Sequence, residues 1–536
     1  MSLPRFFERV VDATAPLLGG LDRAAARAKL EASSVALVAG DRAAEGAGRA
    51  GFLLAANLAA RLYPRIALGG PRDLIRQAEG EIVLVNPRAE VSEAADAPTT
   101  AMLGYETALD DPTAVSVAAR GWSVYVDGVE DNADSEAAPS AALLAATLGV
   151  GELFRVVFAE ELGDRGRSGP RPGAFNLVTL AEHTYDLPLG IDVEVDEFHL
   201  VGAGAIGQAA AHTLALAGAR GRMVVVDPEK VALSNLQRYV LTRDSDVGAV
   251  KVELLRERLA TSGLEVVPTA LEWHAGLTEG QRPTLVALDS AEARIGVQAS
   301  LPGPLYNAWT QPADIGWSRH ERFGEDPCLA CLYWPDHEAP SRHEQIAVAF
   351  RQHPLRVLAY LVHRAIPIGL PLPPGGIPEV PGLEAPADAA RWLDTPLVDD
   401  IAAAAGIDVG ELAGWRERPL GDVYQDGICG GALLHLNVGE APREVLVPLA
   451  HQSAFAGVML ATEFLVAQVP ELKAARTPAI EGRFDVLSGL PQVLSRPRAT
   501  TSTCLCRDGV FRDVYRHNVE GGAGRPEQAA SEMDGG

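Results

Sequence analysis

The feature that most restricts how this chain can fold is the stretch Glu197-Phe-His-Leu-Val201 followed at once by Gly202-Ala-Gly-Ala-Ile-Gly207 and an alanine-rich apolar run. Apolar residues in a short block predict a buried strand, and three glycines in the spacing G-x-G-x-x-G let the chain turn sharply into a helix. A strand feeding a helix in this way is the building unit of parallel α/β sheets. Two further strands fit the same layer, Met223-Val-Val-Val-Asp227 and Thr284-Leu-Val-Ala-Leu-Asp289, each ending in an acid.

The N-terminal half repeats the pattern. Residues 1–30 read as helical, Val35 to Gly40 as a strand, and Phe52 to Leu62 as a helix. Strand-like runs follow at Arg65 to Leu68, Glu81 to Val85 and Trp122 to Val126, then a helix from about Ala141 to Leu162. The glycine- and proline-rich run from Gly163 to Gly173 is a loop near the end of this half. The two halves therefore read as a degenerate and a functional copy of one α/β unit. Asp41-Arg-Ala-Ala-Glu-Gly, at the place of the glycine loop, offers no phosphate cradle.

A glycine loop at a positive helix end suits phosphate, and Asp227, 20 residues after Gly207, suits ribose hydroxyls. On these two features alone, a nicotinamide or flavin dinucleotide is the first reading. The next residues shift it. Asp227-Pro-Glu-Lys-Val-Ala-Leu-Ser-Asn-Leu-Gln-Arg238 is followed by Asp246-Val-Gly248 and Lys251. This succession resembles the ThiF/MoeB and ubiquitin-activating-enzyme superfamily, with its acid-x-acid pair, Ser-Asn-Leu-x-Arg and Gly-x-x-Lys.

The resemblance implies an ATP-dependent adenylating enzyme with Gly202, Gly204, Gly207, Asp227, Asn235, Arg238 and Lys251 around the nucleotide. Asp227 would hold the ribose and Asn235 would contact the phosphate region. A carboxylate attacking the α-phosphate approaches a polyanion, so cations must spread the developing charge, and Arg238 and Lys251 are of the type required. Asp289 stands where the family places its Mg²⁺ ligand, with Leu-Asp-Ser in place of the usual Thr-Asp-Asn; a helix N-cap is its other reading. Glu229 replaces the family's second Asp. An arginine from the opposing half of a dimer or pseudo-dimer is also implied, and the N-terminal half offers Arg23, Arg27 and Arg49, none of them in a motif.

The five cysteines fall into Cys328-Leu-Ala-Cys331, Cys504-Leu-Cys506 and Cys429 alone. Two close pairs suit a tetrahedral structural Zn²⁺, and the family often closes its adenylation domain in this way; disulfides are the competing reading. Cys429 lies in the glycine-flanked run Asp426-Gly-Ile-Cys-Gly-Gly431, ahead of Val447 to Glu463, which resembles the helix that follows the acyl-accepting cysteine in relatives. It is the candidate nucleophile, against the alternative of a small buried cysteine with no role.

Between these blocks, seven prolines in residues 367–386 exclude a helix or central strand and imply an extended connector. Helical patterns at Val398–Ala405 and Glu411–Trp415 follow. The domain reading is thus 1–190 as an inactive adenylation domain, 191–335 with 426–518 as the active one, 336–425 as an insertion resembling a cysteine domain, and 519–536 as a disordered tail. The whole is an intramolecular pseudo-dimer.

A net charge of −25 opposes a sequence-independent hold on nucleic acid. The apolar run Phe455–Val469 is interrupted by Glu463 and reads as a buried helix, and the N-terminus lacks the pattern of a signal peptide, so no membrane partner and a cytoplasmic location are expected. Only four lysines accompany abundant arginine, alanine and glycine, a bias of GC-rich bacterial genomes. The expected partners are a ubiquitin-like protein ending in Gly and an E2-like conjugating protein, in a bacterial conjugation system of which some are antiviral. A sulfur-carrier adenylyltransferase of thiamin or molybdopterin type, and an NAD(P)-dependent oxidoreductase, are the alternatives.

Overall fold

A computed structural model describes residues 3–18, 21–94, 98–128, 136–181, 187–277, 281–311, 314–333, 342–363, 365–380, 383–424, 447–485, 487 and 504–522. The chain divides into two compact units, 1–334 with 448–536, and 335–447.

The larger unit contains two seven-stranded sheets. The first comprises β1 (Ser34–Ala39), β2 (Arg65–Gly69), β3 (Glu90–Glu93), β4 (Ala101–Tyr105), β5 (Ala114–Arg120), β6 (Ser123–Val126) and β7 (Gly173–Asn176). The second comprises β8 (Glu194–Val201), β9 (Arg220–Val226), β10 (Leu264–Thr269), β11 (Thr284–Val286), β12 (Leu305–Thr310), β13 (Ile315–His320) and β14 (Glu481–Phe484). Their orders, β3-β2-β1-β4-β5-β6-β7 and β10-β9-β8-β11-β12-β13-β14, are the same path drawn twice. In each, five strands run parallel and two antiparallel pairings complete one edge, so that only the sixth strand, β6 or β13, runs against the rest.

The helices of the first half are α1 (Phe7–Thr14), α2 (Arg23–Ala32), α3 (Gly46–Ala60), α4 (Arg72–Val85), α5 (Pro139–Val157) and the short α6 (Ala159–Leu162). Those of the second half are α7 (Ala205–Leu216), α8 (Lys251–Arg258), α9 (Ala291–Ala299) and α10 (Leu329–Tyr333). After the smaller unit, which holds α11 (Arg342–Phe350), α12 (Pro354–Val362) and α13 (Leu397–Ala405), the chain returns with α14 (Ala450–Gln468), α15 (Pro470–Ala475) and α16 (Gly509–Gly522).

The repeat extends to buried charge. Both α5 and α14 have 19 residues, and each buries a glutamate at the same depth, 152 − 139 = 13 and 463 − 450 = 13 residues after its start. Glu152 pairs with Arg155 at 2.6 Å and with Arg167; Glu463 pairs with Arg319 at 3.2 Å and Arg476 at 3.9 Å. A carboxylate taken out of water needs such partners, and both halves supply two guanidinium groups. α5 packs against α3, α7 and α14, so the two halves share a helical seam. It is the one described helix long and apolar enough to cross a membrane, yet nearly all of that stretch is buried inside the protein.

Three local readings change. Glu81–Val85 ends the helix α4 rather than forming a strand, because Leu74, Ala78, Ile82 and Val85 fall on one buried face at spacings of three and four. β4 and β5 occupy the middle of the first sheet instead. The helix α16 continues to Gly522, four residues beyond the point where the polar, glycine-rich composition suggested that order ends, Asn518.

The smaller unit has a core of its own around Trp392, with Ile346, Phe350, Leu355, Ile401 and Leu412. Arg356, fully buried, pairs through Nη1 with Asp400 and donates from Nη2 to Thr395 O at 2.7 Å, which gives its charge a partner inside that core. No helix or strand lies among the described residues of the proline-rich segment 367–386. Its Leu372 amide donates to Trp392 O at 3.0 Å, and Ile368 and Leu372 are buried, so the connector is packed against the unit's core.

Candidate functional site

β8 lies between β9 and β11, with Val201 opposite Val226 on one side and Val286 on the other. The chain leaves β8 for β9 and later returns to the opposite side through β11. This makes the carboxyl ends of β8 and β11 a topological switch point, where open α/β sheets leave a crevice.

The glycine loop fills the turn at the end of β8. Gly202 has φ of +100°, a conformation that L side chains avoid, and a Cβ there would lie 2.5 Å from Ala287 O. A Cβ on Gly207 would stand 1.9 Å from Gly202 O, so no other residue lets α7 approach the loop this closely. At Gly204 the nearest atom to a Cβ is the Tyr239 hydroxyl, at 3.3 Å; this glycine leaves room above the loop rather than relieving a clash. α7 then begins with its free amides facing the crevice.

Asp227 ends β9 and is buried. Its Oδ2 accepts from Ala203 N of the glycine loop at 2.8 Å, and its Oδ1 accepts from Glu229 N at 2.8 Å. Lys251 opens α8, also buried, and its Nζ donates to Glu229 and, at 3.1 Å, to the Tyr239 hydroxyl. Burial by itself would lower the Lys251 pKa, but Tyr239, Asp227 and Glu229 together hold it above the ordinary lysine value. Burial raises the Tyr239 phenol, and Lys251 and Arg238 pull against that. The Arg238 guanidinium lies 5.8 Å from the Tyr239 ring centre, and its Nη1 is buried with no hydrogen-bond partner among the described residues. An orphaned cationic donor beside a glycine loop fits a ligand anion.

Asn235 is buried and uses its Oδ1 to accept from Ala232 N at 2.8 Å, bracing the turn 233–237 that carries it. Asp289 is exposed just before α9. The N-cap of that helix is Ser290, whose Oγ accepts from Ala293 N at 3.1 Å, so the capping role read for Asp289 belongs to its neighbour and leaves the carboxylate free of that duty. Arg294, buried, donates to Leu288 O immediately before Asp289 and to Asn307 Oδ1 at 2.7 Å, fixing the approach of that loop.

The structure thus gathers Gly204, Asp227, Glu229, Arg238 and Lys251 around Tyr239, and sets Asp289 at the end of the strand beyond the glycine loop. Tyr239 was not singled out in the sequence, although an aromatic directly after the Ser-Asn-Leu-x-Arg stretch is visible there. The N-terminal arginines weighed for this site are engaged elsewhere. Arg23 pairs with Glu8 and Asp12, Arg27 with Glu8 and Glu31, and Arg49 donates to Gln77 and Ala44 O.

The paired cysteines meet. The Sγ atoms of Cys328, Cys331, Cys504 and Cys506 all lie within 4.8 Å of one another, and the four residues are buried. Separations of 3.9 Å (328–331), 3.5 Å (328–504), 3.3 Å (331–504) and 3.5 Å (331–506) are far beyond a disulfide bond and close to the edge of a tetrahedron of thiolates about 2.3 Å from a metal. Hydrogen bonding from Cys328 and Cys504 draws the Cys506 thiol below the ordinary thiol range, the direction that favours metal binding. The four residues fit a metal ion. Cys429 lies outside the described residues.

Comparison with known proteins agrees with this geometry. The ThiF family model matches residues 194–297, the span from β8 to α9. The protein of Sinorhizobium fredii (strain NBRC 101917 / NGR234) called uncharacterized protein y4jF is 30% identical over 541 residues, covering 96% of this chain and 97% of its own. The sulfur carrier protein ThiS adenylyltransferase of Escherichia coli (strain K12) is 30% identical over 165 residues, 27% of this chain and 60% of that enzyme. The molybdopterin-synthase adenylyltransferase of the same strain is 39% identical over 93 residues, 17% of this chain and 32% of that enzyme. Through residues 194–297 the chain belongs to the ThiF family, and over that region it is homologous to the ThiF/MoeB adenylyltransferases. The dinucleotide reading of the glycine loop yields to this membership.

Proposed function

We propose that the protein activates the C-terminal carboxylate of a small ubiquitin-like protein by adenylation with ATP. The observation that carries the reading is the ring of Asp227, Glu229, Tyr239 and Lys251 closed against the glycine loop, with the unpaired Nη1 of Arg238 beside it. Asp227 holds the ribose, while the amides of the loop and of α7 take the phosphates. A carrier carboxylate oxygen attacks the α-phosphorus; the new P–O bond forms as the α,β-bridging P–O bond breaks, and pyrophosphate leaves with the electron pair. Arg238 and Lys251 sit where they offset the charge that accumulates. Mg²⁺ held through Asp289 would supply further charge neutralisation on the phosphates.

The acyl adenylate is then passed to Cys429: the thiolate attacks the acyl carbon, a thioester forms and AMP departs. An E2-like protein would receive the acyl group, in a bacterial ubiquitin-like conjugation system of a class that includes antiviral ones. The N-terminal half is the inactive copy of a pseudo-dimer, and 336–425 is the insertion that serves the thioester step. Zinc is the metal we assign to Cys328, Cys331, Cys504 and Cys506, as a closed structural site. The second reading, a sulfur-carrier adenylyltransferase that stops at the adenylate, is favoured by the likeness of the β8–α9 region to the ThiS and molybdopterin-synthase enzymes.

Intact mass after incubation with MgATP and ubiquitin-like proteins ending in Gly separates the two. A carrier adduct that dithiothreitol removes, and that Cys429→Ala abolishes, supports the thioester route. An adenylate formed equally by both proteins with no adduct supports the sulfur-carrier route. Absence of ATP–pyrophosphate exchange with every carrier refutes both.

A further inference from the structure

Arg61 follows the last turn of α3 in the N-terminal half and is fully buried, yet among the described residues no carboxylate hydrogen-bonds to it. Its guanidinium crosses to the second half and donates to main-chain carbonyls: Leu236 O, Thr242 O at 2.9 Å and Val240 O at 3.4 Å. Its Nε donates to Asn57 Oδ1 at 2.9 Å, and the Asn57 amide donates to Val240 O at 3.1 Å. Burial draws the Arg61 pKa down to about 9, which Glu81 only partly opposes, so the guanidinium is kept in a setting costly for a charge.

The carbonyls that Arg61 collects belong to one short segment, 236–242, which follows Asn235 directly and carries Arg238 and Tyr239. Its far side is held by Gln208 of α7. The Gln208 Oε1 accepts from Leu241 N at 3.1 Å and Thr242 Oγ1 at 3.0 Å, and its Nε2 donates to Ala203 O of the glycine loop at 3.4 Å. Residues 236–242 are therefore gripped between a guanidinium from one half and an amide from the other. Loss of Arg61 leaves the carbonyls of 236, 240 and 242 short of a donor, and loss of Gln208 leaves the Leu241 amide and the Thr242 hydroxyl short of an acceptor, so either loss frees the segment to turn toward other partners.

We propose that Arg61 and Asn57 are positioning residues for the nucleotide site: they fix the main chain at 236–242 so that Arg238 and Tyr239 already face the phosphate cradle before ATP binds. Arg61 touches no phosphate itself, since its donors are spent on carbonyls. The N-terminal half thus serves the chemistry by shaping a loop of its neighbour. This inference rests on the adenylation reading.

The test uses calorimetry on the full chain with MgATP and, separately, adenosine. Arg61→Lys keeps a charge but cannot reach three carbonyls in a fork, and Asn57→Ala removes the amide that donates to Val240 O and accepts from Arg61 Nε. Each variant is expected to bind MgATP about tenfold more weakly, from the loss of a charge-assisted or buried hydrogen bond at the loop. Adenosine, which leans on Asp227 and not on Arg238, is expected to bind as in the wild type. A merely structural role would lower the thermal midpoint and leave the ratio of MgATP to adenosine affinity unchanged, and that result overturns the proposal. If Arg61→Lys does not fold, Asn57→Ala decides alone. Wild-type protein that binds no MgATP refutes the adenylation reading and this inference with it; wild-type binding with both variants unaltered refutes only the positioning role.

Discussion

Gly207 offers the sharpest quantitative test of the nucleotide loop. A Cβ at this position would lie 1.9 Å from Gly202 O, whereas carbon–oxygen contacts of this kind essentially never fall under 3.0 Å. Gly207→Ala therefore forces the loop and α7 apart by about 1 Å, with main chain on one side of the clash and a helix on the other, so no side-chain rotation relieves it. Overpacking of this sort costs about 3 kcal/mol. Alanine returns about 1 kcal/mol through its helix propensity, since Gly207 lies in the first turn of α7. The expected net loss is about 2 kcal/mol, a fall in thermal midpoint of about 4 °C. Gly204→Ala is the matched control: its Cβ would meet only the far end of Tyr239, at 3.3 Å, and its φ of −77° suits any residue. It is expected to melt within about 1 °C of the wild type while binding MgATP more weakly, because the methyl group occupies the space above the loop. Thermal melts by circular dichroism, paired with MgATP calorimetry, read both quantities. If Gly207→Ala melts with the wild type and binds MgATP normally, the close packing of α7 on the loop is not what those glycines serve.

Three further outcomes are expected. Lys251→Ala should reduce ATP–pyrophosphate exchange at least about 100-fold; because the folded pKa of Lys251 lies above that of the unfolded chain, its contribution is present throughout the neutral range and is lost only as pH rises beyond the lysine range, so it should add no slope to stability between pH 6 and 9. His451 behaves in the opposite sense. Burial lowers its pKa to about 3, so the unfolded chain takes up the proton first and stability falls as pH drops below about 6.5, by about 2 kcal/mol at pH 5; His451→Gln should visibly flatten the dependence of melting temperature on pH, with His320, lowered to about 4, keeping part of it. Elemental analysis of the purified protein should give one metal ion per chain, and Cys504→Ser should lose it and melt earlier, since metal binding of this type contributes on the order of 10 kcal/mol to folding; a Cys504→Ser protein that retains its metal and its midpoint refutes the four-sulfur site.

What the sequence allowed one to read depended on whether the signal was local. β8, the glycine loop and β9 announced themselves through apolar blocks ending in Gly202 and Asp227, because strand burial and a tight turn leave their mark on consecutive residues. The same rule misled at Glu81–Val85, where a short apolar run fits a strand or the last turn of a helix equally well; only the spacing from Leu74 resolves it. β4 was missed because Ala101-Met-Leu-Gly-Tyr105 carries little β-branched character and owes its place to neighbours on both sides. In the site, Lys251 and Asp227 were legible as members of a linked succession of residues. Arg61 was not. Its partners are main-chain carbonyls up to 181 residues away, and a carbonyl has no letter of its own in a sequence.

The second sheet is not completed in one stretch of chain. β8 to β13 are made first, but β14, α14 and the cysteines at 504 and 506 come only after the whole of 335–447. On a ribosome, the first four-fifths of the polypeptide would emerge with an open sheet edge and half a metal knuckle, and nothing yet made could seal either. A chain interrupted before Glu481 would thus keep the edge of β13 unpaired and hold only the first of the two cysteine pairs.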